Sequence, residues 1–262
     1  MKKNSIYIFL YALLFCFILG CVSIANFDRE NDNVNSSILV GAAASLEPVL
    51  TKIDGLYSGN VDYTFASSGV LQQQIEQGAN IDIFISASNK QMDVLEKKDL
   101  LFTNSKVSLV GNQIVLITRN NSLLNINDFT QLTDSSINLI AMGEPKSVPA
   151  GQYGQEILDN LNIFSELKSQ SKFLFTNNVR STLMAVETGN VDVGIVYFTD
   201  AISSDKVKVI ATADADLHSS IIYPVAIIRD TQNLGEAQRY LQFLQGEDVQ
   251  NIFIDFGFNL ME

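Results

Sequence analysis

Val40-Gly41-Ala42-Ala43-Ala44-Ser45-Leu46-Glu47-Pro48-Val49-Leu50 reads as the end of a strand, a turn of small residues, and a helix that starts at Ser45. Ser45 suits an N-cap, because its hydroxyl accepts from a free first-turn N–H. Glu47 and Pro48 suit the first turn, where a carboxylate favours the helix dipole and a missing N–H costs little. Leu46, Val49, Leu50 and Ile53 then recur at helical spacing. Small residues ahead of a helix leave its first N–H groups facing open space, which suits an anion. Taken alone, the stretch is equally a plain strand–turn–helix unit. Its weight comes from recurrence along the chain.

The 262 residues allow one or two domains with ample core. A basic start, Met1-Lys2-Lys3, an apolar run over 6–19, and Gly20-Cys21 predict a signal peptide over 1–20, too short for a permanent span. Ile18-Leu19-Gly20-Cys21 resembles the lipobox of bacterial lipoproteins, which implies lipidation at Cys21 and a membrane contact through the lipid alone. Residues 21–37, rich in Asn, Asp and Ser, read as a flexible tether. The two cysteines are Cys16, inside the apolar run, and Cys21, so no disulfide, thiol nucleophile or thiolate metal site is expected. Removing 1–20 takes away Lys2 and Lys3 and leaves 15 basic against 29 acidic side chains, a net charge of −14. So acidic a chain is a poor partner for nucleic acid.

From Ile38 onward the pattern alternates. Strands are expected over 38–40, 61–65, 81–85, 114–118, 137–143, 173–175, 192–197, 207–211 and 221–228. Helices are expected over 45–57, 70–78, 89–98, 150–161, 178–189, 235–244 and 249–255. Strands alternating with helices argue for an α/β fold with mostly parallel sheets. The polar stretch 120–127 reads as a crossing between lobes.

Four of these units have small or amide residues at the helix start: around Ser45, Ser67/Ser68, Ala150/Gly151 and Asn178/Val179. None has a lysine in the turn, and only Arg180 lies nearby, read as a solvated or supporting charge rather than a ligand. Ligands of open α/β sheets sit beyond the carboxyl ends of the strands, so four such turns can converge on one cleft. Neutral donors there would surround a small oxyanion, each oxygen needing about two hydrogen bonds.

The chain resembles the molybdate-binding proteins, solute-binding components of molybdate ABC importers. The matching motifs are Ala42-Ala43-Ala44-Ser45-Leu46, Phe65-Ala66-Ser67-Ser68, Ile81-Asp82-Ile83-Phe84-Ile85-Ser86-Ala87, Val148-Pro149-Ala150-Gly151, Asn178-Val179-Arg180 and Gly194-Ile195-Val196-Tyr197, in family order from Ile38 to nearly the end. The resemblance implies a two-lobe periplasmic-binding-protein-like fold of type II, each lobe a mostly parallel sheet flanked by helices, with the ligand in the cleft. It implies that Ser45 and Ser68 donate hydroxyl and backbone bonds, Ala150 and Val179 backbone N–H bonds, and Tyr197 its hydroxyl. Molybdenum would then be held as its oxyanion, with no direct metal ligand and no cofactor, and tungstate is expected to bind as well. Lobe 1 is expected over 38–117 plus 223–262 and lobe 2 over 118–222. The protein would be an extracytoplasmic, lipid-anchored monomer that closes on its anion and docks on a membrane permease. Glu47 departs from the pattern, and a carboxylate so close to a dianion must point away.

Two rivals follow from the residues. A hydrolase would have to use His218, the single histidine, and no Gly-x-Ser-x-Gly elbow, lysine-bearing phosphate loop or dinucleotide fingerprint is present. A receptor for another tetrahedral anion, such as sulfate, would use the same turns. Phosphate is disfavoured because its proton calls for an acceptor carboxylate, which these turns lack.

Overall fold

A computed structural model describes residues 37–261. The expected signal peptide, Cys21 and all of the tether except Ser37 lie outside them. Strand β1 (Ile38–Ala43) runs through a 3₁₀ turn (Ala44–Leu46) into α1 (Glu47–Asp54). Then come β2 (Val61–Ala66), α2 (Ser68–Glu76), β3 (Ile83–Ile85), α3 (Asn89–Lys97) and β4 (Val107–Gly111). The middle of the chain carries β5 (Ile114–Arg119), a second 3₁₀ turn (Phe129–Thr133), β6 (Ile140–Gly143), α4 (Pro149–Asn160) and α5 (Phe164–Ser169). It continues through β7 (Phe173–Thr176), α6 (Val179–Glu187), β8 (Val193–Tyr197), α7 (Phe198–Ile202) and β9 (Val207–Thr212). The chain closes with β10 (Ile222–Ile227), α8 (Leu234–Leu244), α9 (Glu247–Asp255) and β11 (Asn259–Leu260).

Two sheets result, in the orders β11-β4-β10-β3-β1-β2 and β7-β6-β8-β5-β9. Both are mixed, whereas mostly parallel sheets were expected. In the first, β1 pairs parallel with β2 and β3, and the β10, β4 and β11 pairings are antiparallel. In the second, β6 pairs parallel with β7 and β8, while β5 pairs antiparallel with β8 and β9. The strand–helix units supply the parallel pairs, and the strands on which the chain enters or leaves a sheet supply the antiparallel ones. The first crossing falls at Asn112–Gln113, between β4 and β5, because Ile114–Ile117 pairs with β8. The strand 114–118 therefore belongs to the second sheet throughout, and the polar stretch 120–127 follows it there. The return lies between β9 and β10, over 213–221.

The central strands are buried on both faces, as their unbroken apolar runs dictate. Ile83, Phe84 and Ile85, and Ile114 through Ile117, have no exposed surface. Both sheets tie their strands with the same device. Asp82, just before β3, accepts from the Leu39 N–H at 2.8 Å, and Asp192, just before β8, accepts from the Asn138 and Leu139 N–H groups at 2.7 and 2.9 Å. Each carboxylate satisfies backbone donors at the start of the neighbouring strand, which fixes the register that delivers the strand ends to one place. No helix among the described residues is long and apolar enough to cross a membrane.

Candidate functional site

The ends of β1, β2, β6, β7 and β8 converge on one small cavity. Ser45, Ser68, Ala150, Val179 and Tyr197 all line it, together with Ala43, Ala44, Ser67, Ala87, Val148, Pro149 and Asn178. The cavity volume is about 10 Å3, as swept by the centre of a water-sized sphere. No lining residue carries a charge. A larger surface hollow of about 450 Å3 lies beside Glu96, Asp99, Lys106 and Arg229. Its cations are already paired, Lys106 with Asp93 and Glu96, and Arg229 with Asp99. The small cavity draws its walls from both sheets at their helix starts.

Each helix start is built differently. Ser45 is not an N-cap, contrary to expectation: it sits inside the 3₁₀ turn, and Leu46 precedes α1. Its hydroxyl is thereby free of capping and lies 3.0 Å from the Tyr223 hydroxyl. Ser68 is the first residue of α2, after Ser67. The Ser68 Oγ accepts from the Ala87 N–H at 2.9 Å, which leaves its own proton available. The Ser67 Oγ is buried with no partner among the described residues. Ala150 and Val179 lie in the first turns of α4 and α6, so their N–H groups have no acceptor within their own helices. Asn178 caps α6 with its side chain, accepting from the Ser181 N–H at 2.9 Å. Gly151 lets α4 approach β6: a Cβ there would lie 1.9 Å from the Gly143 carbonyl oxygen.

Tyr197 ends β8 fully buried, and its hydroxyl donates to the Ala87 carbonyl at 3.4 Å. Burial, with Tyr223, Tyr153 and Asp200 close by, holds that hydroxyl well above the usual tyrosine range, so it stays a donor. Glu47 is exposed, as its position required. Arg180 does not line the cavity: its Nη1 donates to Ser203 Oγ at 2.9 Å and lies 4.0 Å from Asp200 Oδ1. His218 is half-buried, with its Nδ1 2.8 Å from the Ser219 carbonyl oxygen. Among the described residues no group of three or more His, Cys, Asp or Glu side chains is placed to hold a metal ion. Sequence reading missed Tyr223 and Asn112. Both stand behind Ser45, and neither lies in a small-residue turn.

The chain is 38% identical over 264 residues, 98% of both chains, to the Bacillus subtilis protein YvgL, provisionally named an ABC transporter substrate-binding lipoprotein. It is 36% identical over 236 residues to the molybdate-binding protein ModA of Haemophilus influenzae, covering 86% of this chain and 91% of that one. The fold matches the solved periplasmic molybdate-binding protein of Azotobacter vinelandii with a TM-score of 0.79 at 21% identity, over 86% of this chain and all of that one. The architecture is thus that of type II periplasmic binding proteins, and the relatives are receptors rather than enzymes. With residues 38–259 matched to the family, the chain belongs to the bacterial extracellular solute-binding proteins.

Proposed function

We propose that this chain captures molybdate, and tungstate with it, for delivery to an ABC importer. One observation carries the reading: both sheets bring uncharged hydrogen-bond donors, and no charged side chain, to a single small cavity. A dianion buried there must have its oxygens bonded, because an unpaired charge is very costly in a dry interior. The Ser45, Ser68 and Tyr197 hydroxyls and the Ala150 and Val179 N–H groups form such a donor set. The small volume suits a compact inorganic anion rather than an organic solute. The name of the Haemophilus relative adds support for molybdate over sulfate, which has the same charge and shape and a smaller size.

Capture works as a clamp of two lobes. One lobe holds the sheet of β1–β4, β10 and β11 with its helices, and the other holds the sheet of β5–β9. Ser45 and Ser68 belong to the first, and Ala150, Val179 and Tyr197 to the second. An anion that bonds both sides favours closure by its differential affinity for the closed state. The closed monomer, tethered through lipidated Cys21, docks on its permease. Titration calorimetry on residues 38–262 with molybdate, tungstate, sulfate and phosphate tests this. Tight one-to-one binding of the first two supports the reading, sulfate binding in their place changes the ligand, and no binding overturns it.

A further inference from the structure

We infer that Tyr223, with Asn112 behind it, is a positioning residue that fixes which way the Ser45 hydroxyl points its proton. The inference rests on the receptor reading above and adds the control of one donor in it. Asn112 sits where the chain leaves β4 for β5. Its Oδ1 accepts from the Gln113 N–H at 2.9 Å, which sets the orientation of the amide. Its Nδ2 therefore faces Thr199 Oγ1 at 2.9 Å and the Tyr223 hydroxyl at 3.3 Å. An amide nitrogen only donates, so the Tyr223 oxygen accepts from it.

A phenol has one proton. The hydroxyl nearest to the Tyr223 oxygen is Ser45 Oγ at 3.0 Å, with the Tyr197 hydroxyl, already donating to the Ala87 carbonyl, close beside it. Donation from Tyr223 to Ser45 satisfies both contacts, and it leaves the Ser45 proton to turn into the cavity that Ser45 lines. The reverse direction would use up the Ser45 proton and aim a lone pair at the anion. All three groups are buried, with Tyr223 at 0%, Ser45 at 4% and Asn112 at 8% exposure, so the polarity is set inside the protein. Burial also keeps the Tyr223 proton in place well beyond the ordinary tyrosine range. The Tyr223 ring packs 5.6 Å from the Tyr197 and Phe258 rings, contacts that phenylalanine retains.

The test is a double-mutant cycle with molybdate as titrant. Tyr223→Phe is expected to weaken binding about tenfold, the scale of one directed hydrogen bond to a charged group, with the melting curve of the free chain little changed. Asn112→Asp is expected to weaken it further, because a carboxylate accepts, draws the Tyr223 proton and turns Ser45 around. Its effect must shrink in the Tyr223→Phe background, where no phenol relays it; charge repulsion alone would be the same in both. Equal effects, or a Tyr223→Phe affinity within twofold of the parent, overturn the inference. Proton NMR of the free chain gives a ligand-independent arm. The Tyr223 hydroxyl proton should show contacts to the Ser45 β-protons, and contacts to Asn112 in their place overturn the inference. If the parent binds no oxyanion while this resonance behaves as expected, the receptor reading fails and the proton direction stands.

Discussion

The backbone N–H of Gly69 donates to the carbonyl oxygen of Ser147 at 2.9 Å, joining the start of α2 to the turn before α4. The bond runs from one sheet's helices to the other's. One first-turn donor is thus satisfied across the cleft rather than by a ligand. A Cβ on Gly69 would lie 2.4 Å from the Ser147 oxygen and 2.7 Å from its Cα, so this approach requires glycine. Gly69→Ala should act as a wedge. The gain in helix propensity, at most about 0.5–1 kcal/mol, offsets part of the lost Gly69–Ser147 bond, so the free chain should melt close to or slightly below the parent. Molybdate affinity should drop at least about tenfold, the scale of a lost closed-state contact, and solution scattering should show a larger radius of gyration. Gly55→Ala, where a Cβ meets nothing within 4 Å, is the control.

The two adjacent serines separate in the same way. Ser68 Oγ is the acceptor for the Ala87 N–H, and Ser67 Oγ has no partner among the described residues. Ser68→Ala should destabilise the free chain by about 1–3 kcal/mol, because a buried N–H loses its acceptor. Ser67→Ala should leave it unchanged or slightly more stable, since an unsatisfied buried hydroxyl is itself a cost. Thermal melts of both variants check the difference.

Asp200 is fully buried, and neither of its oxygens is in full hydrogen-bond geometry with a partner among the described residues. Desolvation pushes its carboxyl up to about 7, while Arg180 and the backbone of Tyr197 pull it down less strongly. Between the unfolded value near 3.8 and about 7 the folded chain holds a proton that the unfolded chain has lost. The contribution of Asp200 is therefore fully present below pH 4 and is lost as pH rises through about 7. Its size is at most on the order of 4 kcal/mol. Asp200→Asn should remove this slope and be more stable than the parent at pH 8. Melting temperatures of the two proteins from pH 4 to pH 8 read it directly.

Salt should act on rate more than on affinity. The full chain carries a net charge of −12, yet the cavity wall carries none. Repulsion slows the approach of a dianion and is screened over about 10 Å at 0.1 M salt. Stopped-flow association of molybdate should therefore speed up as salt is added, while dissociation stays constant.

The helix starts were legible because strand, small turn and amphipathic helix are local patterns, and the four residues picked on them meet in one cavity with Tyr197, which the resemblance added. What lay outside local pattern was missed. Tyr223 lies 178 residues from Ser45, in a strand that reads as plain core, so nothing nearby marks its hydroxyl. The strand β4 is five residues long and ends at Gly111 beside Asn112-Gln113, where composition suggests a turn. The first crossing was sought over 114–120, running into the polar stretch 120–127, and the second near 221–226. The chain first crosses instead within two residues that are held by the Asn112 amide.

The peptide unit of Ala87 is held on both sides, its N–H by Ser68 and its carbonyl by the Tyr197 hydroxyl. In the proposed role the anion needs the same Tyr197 proton, so capture is an exchange of acceptors. The measured affinity is then the margin by which an external oxyanion outcompetes an internal surrogate. Any change that strengthens the surrogate weakens capture without touching the ligand. Unloading benefits from the same exchange: the Ala87 carbonyl takes the proton back as the anion leaves, and the buried phenol passes from one acceptor to the next without a costly interval between them.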